Sequence, residues 1–139
     1  MAAITLPYDI AMYTGPSFSA IVGTAAITNG YACVKFGVAA GEIVPTAAAN
    51  ESSCGFICEP GVSASAPLAV GERVTVYCGG FVWAMASAAL ATVGATVGTA
   101  AAGKVAAATA ANFYVGKIYG TAGADTELVP MLITLGSSV

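Results

Sequence analysis

The sequence predicts an all-β fold: a small β-barrel or β-sandwich of short antiparallel strands with an extended N-terminal arm and a two-fold internal pseudo-repeat. Three observations predict it. Short runs of β-branched and aromatic residues recur between turn signals at about the spacing that marks all-β domains. One run, 72–78, alternates with the period of a half-buried strand, placing Val74, Val76 and Cys78 on one side and Arg73, Thr75 and Tyr77 on the other. A segment from the first half is echoed in the second. Gly41-Glu-Ile-Val-Pro-Thr-Ala-Ala-Ala-Asn50 aligns with Gly103-Lys-Val-Ala-Ala-Ala-Thr-Ala-Ala-Asn112, Gly55-Phe-Ile57 with Gly116-Lys-Ile118, a turn at Gly61 with one at Gly123, and Glu72-Arg-Val-Thr-Val with Glu127-Leu-Val-Pro-Met.

In chain order, residues 1–26 read as the arm, because Pro7, Gly15, Pro16 and Gly23 interrupt any long regular element. Residues 27–139 read as a single β-domain. Asn29-Gly30 is a type I′ hairpin dipeptide leading into a strand at 31–36. Strand 72–78, Gly79-Gly80 and strand 81–85 read as a hairpin, since paired glycines supply the positive φ of a tight turn. A short helix is conceivable only within 84–93, where alanine is dense. Further strands are expected at 95–100, 105–109, 113–119 and 127–135, and Pro130 marks the last as an edge strand or a bulge.

The composition narrows function by exclusion. Of 139 residues, 58% are hydrophobic and 8% charged, with a net charge of −3, against about 25% charged in an average soluble domain. About a fifth of the chain is alanine, which raises the apolar count but buries little area per residue. Lys35, Arg73, Lys104 and Lys117 stand singly, so no basic patch forms for a nucleic acid. The uncharged run 74–103 contains a GxxxG at Gly94 and Gly98, yet Ala, Thr, Ser and Gly dominate it and no basic cluster flanks it, so no membrane span is expected. No positively charged segment precedes Lys35, so no secretory signal is expected, and Cys33, Cys54, Cys58 and Cys78 are expected to be reduced.

Catalytic and cofactor motifs fail one by one. The chain has no His, which removes the commonest general base and metal ligand. Gly98-Thr-Ala-Ala-Ala-Gly103-Lys104 resembles a phosphate-binding loop, but Val105 stands where a Mg²⁺-binding Ser or Thr belongs, so Gly103-Lys104 reads as a hairpin turn. Cys54-x₃-Cys58 is a loose metal pair, whereas Cys33 and Cys78 are isolated in strand patterns, where Cys serves as a small apolar residue. Neither Cys54 nor Cys58 has a His to activate it as a nucleophile. The carboxylates Asp9, Glu42, Glu51, Glu59, Glu72, Asp125 and Glu127 fall mostly in turns, with no spacing that selects a hydrolytic pair. Tyr31, Tyr77 and Trp83 read as core or protein-interface aromatics. No catalytic, cofactor-binding or metal-binding residue is assigned.

The order Leu68-Ala-Val-Gly-Glu-Arg-Val-Thr-Val, Gly79-Gly-Phe-Val-Trp, Gly94-Ala-Thr-Val97, Gly103-Lys-Val-Ala-Ala-Ala-Thr, Val115-Gly-Lys-Ile118 and Leu128-Val-Pro-Met-Leu-Ile133 resembles the small capsid decoration, or cement, proteins of tailed bacteriophages. Phe36-Gly-Val-Ala-Ala-Gly-Glu-Ile-Val and Cys54-Gly-Phe-Ile57 extend the resemblance over roughly residues 27–135. It implies a non-catalytic virion protein made in the host cytoplasm. Such a protein binds the major capsid protein on the outer surface of the head as a homo-oligomer, with a trimer favoured, and stabilises the shell. The alternatives are another phage structural component, such as a tail or fibre protein, or a cysteine-based metal-binding module. Leu6, Tyr8, Tyr13 and Phe18 in the arm are the candidate attachment residues, suited to adding a strand to a partner's sheet edge.

Overall fold

The computed structural model describes residues 12–108 and 113–137. Among them the regular structure is strand throughout, apart from a turn of 3-10 helix at Ala101–Gly103. Strands β1 (Ser17–Val22), β2 (Cys33–Phe36), β3 (Glu42–Pro45), β4 (Gly55–Ile57) and β5 (Arg73–Tyr77) close into a barrel in the order β1-β3-β2-β4-β5. Its β1–β3 contact is parallel and the other contacts are antiparallel. Strands β6 (Phe81–Met85), β7 (Thr96–Thr99), β8 (Val105–Ala107), β9 (Phe113–Ile118) and β10 (Leu128–Ser137) form a second sheet in the order β6-β10-β9-β7-β8. Its two ends meet where Ala86 bridges Val105 in parallel and the Ser87 N–H donates to the Val105 carbonyl at 2.9 Å. Among the described residues no helix is long and apolar enough to cross a membrane.

The two halves repeat each other in strand order and in register. Replacing β1–β5 by β6–β10 in the first barrel's cyclic order gives the second order, and the parallel β1–β3 contact becomes the Ala86–Val105 bridge. Registers agree as well. Phe18 opposite Val76 matches Val82 opposite Met131, Cys33 opposite Phe56 matches Thr96 opposite Lys117, and Phe36 opposite Ile43 matches Thr99 opposite Val105. The hydrogen bonds outside the ladders repeat too. Val22 N–H to Glu72 O has its equivalent in Ala86 N–H to Glu127 O, and Cys78 N–H to Pro16 O in Ile133 N–H to Gly80 O. Three of the aligned segments (from Gly41 and Gly103, from Gly55 and Gly116, and from Glu72 and Glu127) therefore occupy equivalent places. Gly61 and Gly123 do not, because the first half makes a longer excursion between β4 and β5.

Matching interiors explain matching registers. Ala20, Val22, Val34, Ile43, Ile57, Val74 and Val76 are buried in the first barrel, and Ala84, Ala86, Val97, Val105, Ile118, Val129 and Met131 occupy the equivalent places in the second. Buried Cys54 stands where the second half has Val115, so it too serves as a small apolar residue, the role expected for Cys33 and Cys78. Each fully buried Val or Ile contributes about 1.5–3 kcal/mol. A one-residue slip would turn this whole set outward. Gly55 and Gly116 are equivalent, and a Cβ at either would fall on the carbonyl oxygen of the facing strand, at Tyr77 or Leu132.

Several expectations are corrected. Residues 17–22, assigned to the arm, are β1 inside the barrel, with Ala20 and Val22 facing the core; small residues of weak strand preference hid the alternation. Gly79-Gly80 does not close a hairpin, since β5 pairs with β1 and β4 while β6 pairs with β10. The glycines carry the chain from one barrel to the other past Gly15, where a Cβ would collide with the Gly79 carbonyl. Gly30 lacks positive φ, and Asn29-Gly30 is an Asx turn closed by Tyr31 N–H to Asn29 Oδ1 at 2.9 Å. Residues 84–93 hold no helix, because Ala84 and Ala86 are both buried in period two. Pro130 lies in β10 between β6 and β9, so it is not on an edge strand, and the bulge falls later, between Ile133 and Gly136. The proline is tolerated because its carbonyl accepts from Tyr119 N–H just past the end of β9, where a missing donor costs only a terminal rung.

Candidate functional site: the seam between the two barrels

One side of the seam is apolar. Along β2 and β4, Val34 and Ile57 face into the first barrel, so Cys33 and Phe56 face out, and both are fully buried in the core of the second half. Tyr13 and Tyr77 pack against the same core, their rings 5.1 Å apart edge to face. Tyr13 also caps the outer edge of β6: its N–H donates to Phe81 O at 2.8 Å and its hydroxyl accepts from Trp83 N–H at 3.0 Å. Burial raises the Tyr13 phenol far above its ordinary range and pushes the Cys33 thiol up to about 12.

The other side is polar and fully paired. The buried Asn29 amide donates to the carbonyls of Ala102 and Gly103 at 3.3 and 3.4 Å. Gly103 N–H donates to Thr46 O at 2.9 Å, and Thr46 Oγ1 donates to Ala100 O at 3.1 Å. Thr99 Oγ1 donates to Ala48 O and accepts from Glu51 N–H, both at 2.9 Å. Among the described residues no buried side-chain nitrogen or oxygen lacks a partner. Glu51 also caps the Ala47 and Ala48 amides and pairs with Lys35. Burial opposes its charge, yet the Lys35 ammonium and those amides hold its carboxyl below the usual range. The β7–β8 turn of the second half is thus plugged into the first half.

The equivalent turn of the first half, between β2 and β3, is bare. Thr99 is 3% exposed, whereas its counterpart Phe36 is 72% exposed. Gly103 is buried against Ala32, whereas Gly41 has open space around it. Val38 at the tip of the bare turn is 92% exposed. Phe36 lies beside Phe18, with ring centroids 6.2 Å apart.

The chemistry-bearing side chains are used structurally. Glu42, Glu72 and Glu127 accept from turn amides at Ala39, Ala69 and Gly123, the solvated turn role expected of them. Lys104 pairs with Asp125 at 2.7 Å, and the glycine-rich stretch before it is a β7–β8 connection. The four cysteines are free thiols, and among the described residues no group of three or more His, Cys, Asp or Glu gathers to hold a metal. An open cleft lined by Ser52, Ser53, Phe113, Tyr114, Leu135 and Gly136 has no charged side chain on it.

No family model matches the chain, and no curated protein does. A solved structure does. The chain is similar to the head fiber gp8.5 N base in bacteriophage phi29, with a TM-score of 0.57 and 18% identity, over 89% of this chain and 97% of that one. At such identity the likeness is one of fold, and it takes in both barrels.

Of the candidate attachment residues, Leu6 and Tyr8 lie outside the described residues. The structure does not bring Tyr13 and Phe18 together: Tyr13 is engaged at the seam, while Phe18 sits on β1 beside Phe36. Sequence reading missed Asn29, Thr46, Phe56 and Thr99 as seam residues. The repeat itself carried a signal, since Phe56 aligns with Lys117 and one copy must therefore cover a surface that the other exposes.

Proposed function

We propose that the protein is a non-catalytic structural component of a phage virion that binds the outer surface of the head and stabilises the assembled shell. The observation that carries this reading is the likeness in fold, across both barrels, to the base of a phage head fibre. Support also comes from the polar side chains, whose carboxylates, amides and hydroxyls are engaged in turn and seam hydrogen bonds. The partner is the major capsid protein. A protein that binds only the assembled shell shifts the equilibrium toward it by mass action, and contacts to neighbouring shell subunits reinforce each other through effective concentration. The protein acts as a homo-oligomer, with a trimer favoured, after synthesis in the host cytoplasm. Residues 1–11, with Leu6 and Tyr8, form the attachment segment, and Tyr13 anchors it to β6.

A second reading, the base of a head fibre, is favoured by the same structural neighbour, which is itself a head fiber base. Co-sedimentation with heads and the melting temperature of the decorated shell test both. Binding with a raised shell melting temperature is the expected result; full occupancy without a shift leaves the fibre base, and absence of binding removes both. Deletion of residues 1–11, which spares β1, is expected to abolish binding while the barrels stay folded.

A further inference from the structure

The two barrels of one chain are joined head to tail. The β7–β8 side of the second barrel sits on the outward β2–β4 face of the first, around Cys33 and Phe56. A contact between unlike surfaces of repeated units leaves one surface of each kind unpaired, and repeating it gives a ring or a filament. Here the unpaired surfaces are the Phe36–Val38 side of the first barrel and the face of the second barrel equivalent to the seam, where Thr96, Lys117 and Leu132 stand for Cys33, Phe56 and Tyr77.

We propose that the Phe36–Val38 face binds a second copy of this chain, on the second-barrel face that carries Lys117 and Leu132, continuing between chains the packing that joins the two barrels within one. Both faces expose apolar side chains that a solvated surface does not need: Phe36 and Val38 on one, Leu132 at 38% exposure on the other. Their charges are opposite. Glu42 lies at the base of the β2–β3 turn, while Lys117 is exposed and in no ion pair with a described residue. The receiving face is also open where the seam is occupied: exposed Thr92 replaces Asn29 as the hydroxyl or amide facing the incoming turn, and Ala95 replaces Ala32 as the small residue beneath it.

This inference rests on the reading that the chain assembles with copies of itself, and adds which surfaces meet. The test uses the full chain and two variants, Phe36→Asp/Val38→Asp and Lys117→Glu/Leu132→Glu, with mass measured by sedimentation equilibrium and folding checked by circular dichroism. Wild type is expected to be oligomeric and each variant monomeric. An equimolar mixture of the two variants is expected to form a heterodimer and nothing larger, because one intact pair of faces remains; its formation also shows that both variants are folded. An oligomeric wild type whose mass either variant retains, or a mixture that stays monomeric, overturns the assignment of these faces while self-assembly stands. A wild type that is monomeric at every concentration overturns the self-assembly reading and this inference together. Salt tests the charge pairing: the wild-type dissociation constant should rise at least several-fold on adding salt, and insensitivity counts against Glu42 and Lys117 facing each other.

Discussion

The first and second barrels share every strand contact and nearly every register, yet their surfaces have opposite fates. At equivalent positions Phe56 is sealed in the seam and Lys117 is solvated, and Thr99 is hydrogen-bonded out of solvent while Phe36 stands bare. The inward pattern tolerates only small changes, such as Ile43 for Val105 or Cys54 for Val115, because packing against five strands fixes volume and direction. The outward pattern is fixed only where something covers it. Divergence between the copies therefore maps the seam more sharply than either copy alone.

The sharpest way to break this comparison is to truncate both members of its most unequal pair. Phe56→Ala is expected to cost about 3–5 kcal/mol by urea denaturation, since it empties a fully buried site, whereas Lys117→Ala should change monomer stability by less than about 0.5 kcal/mol. Comparable losses would mean that the barrels do not differ in this way. The turn glycines come next. Both have positive φ, 82° at Gly41 and 70° at Gly103, so alanine costs about 1–2 kcal/mol at each. At Gly103 the new methyl also meets the Ala32 side chain, adding about 1–3 kcal/mol of overpacking. Gly103→Ala should therefore lower the melting temperature clearly more than Gly41→Ala. Asn29→Ala removes the amide that ties the barrels and leaves the Ala102 and Gly103 carbonyls short of a donor, an expected loss of about 1–3 kcal/mol, while Thr92→Ala, its equivalent, should be close to neutral.

The smallest effect is electrostatic. Because the Glu51 carboxyl is held below its usual range in the folded state, its contribution is fully present above the ordinary carboxylate pKa and is lost as pH falls through the depressed value. Glu51→Gln should lower stability by less than about 1 kcal/mol at pH 7, the scale of a partly exposed pair. The gap to wild type should close below about pH 4, as urea midpoints measured across that range would show.

Much of the fold was legible in the sequence because the inward pattern is periodic. The alternation in Glu72-Arg-Val-Thr-Val, and its echo from Glu127, marks two equivalent strands. β1 was not legible, because Ser and Ala carry little strand preference and Pro16 precedes them. Nor was the role of Gly79-Gly80: two glycines satisfy a tight turn and a close backbone crossing equally well, and only the position of Gly15 separates these. The seam was the least legible, since Asn29, Thr46 and Thr99 look like any turn or strand residue until their partners are brought together from across the chain.

By itself the sequence determined an all-β chain built from two like halves, because side-chain alternation and glycine placement are local and repeat wherever the same barrel is made. Tertiary structure alone decided how the halves meet, which turn is plugged and which is left bare. Those outcomes depend on which surfaces are brought into contact across the whole chain, and no local pattern of residues encodes that.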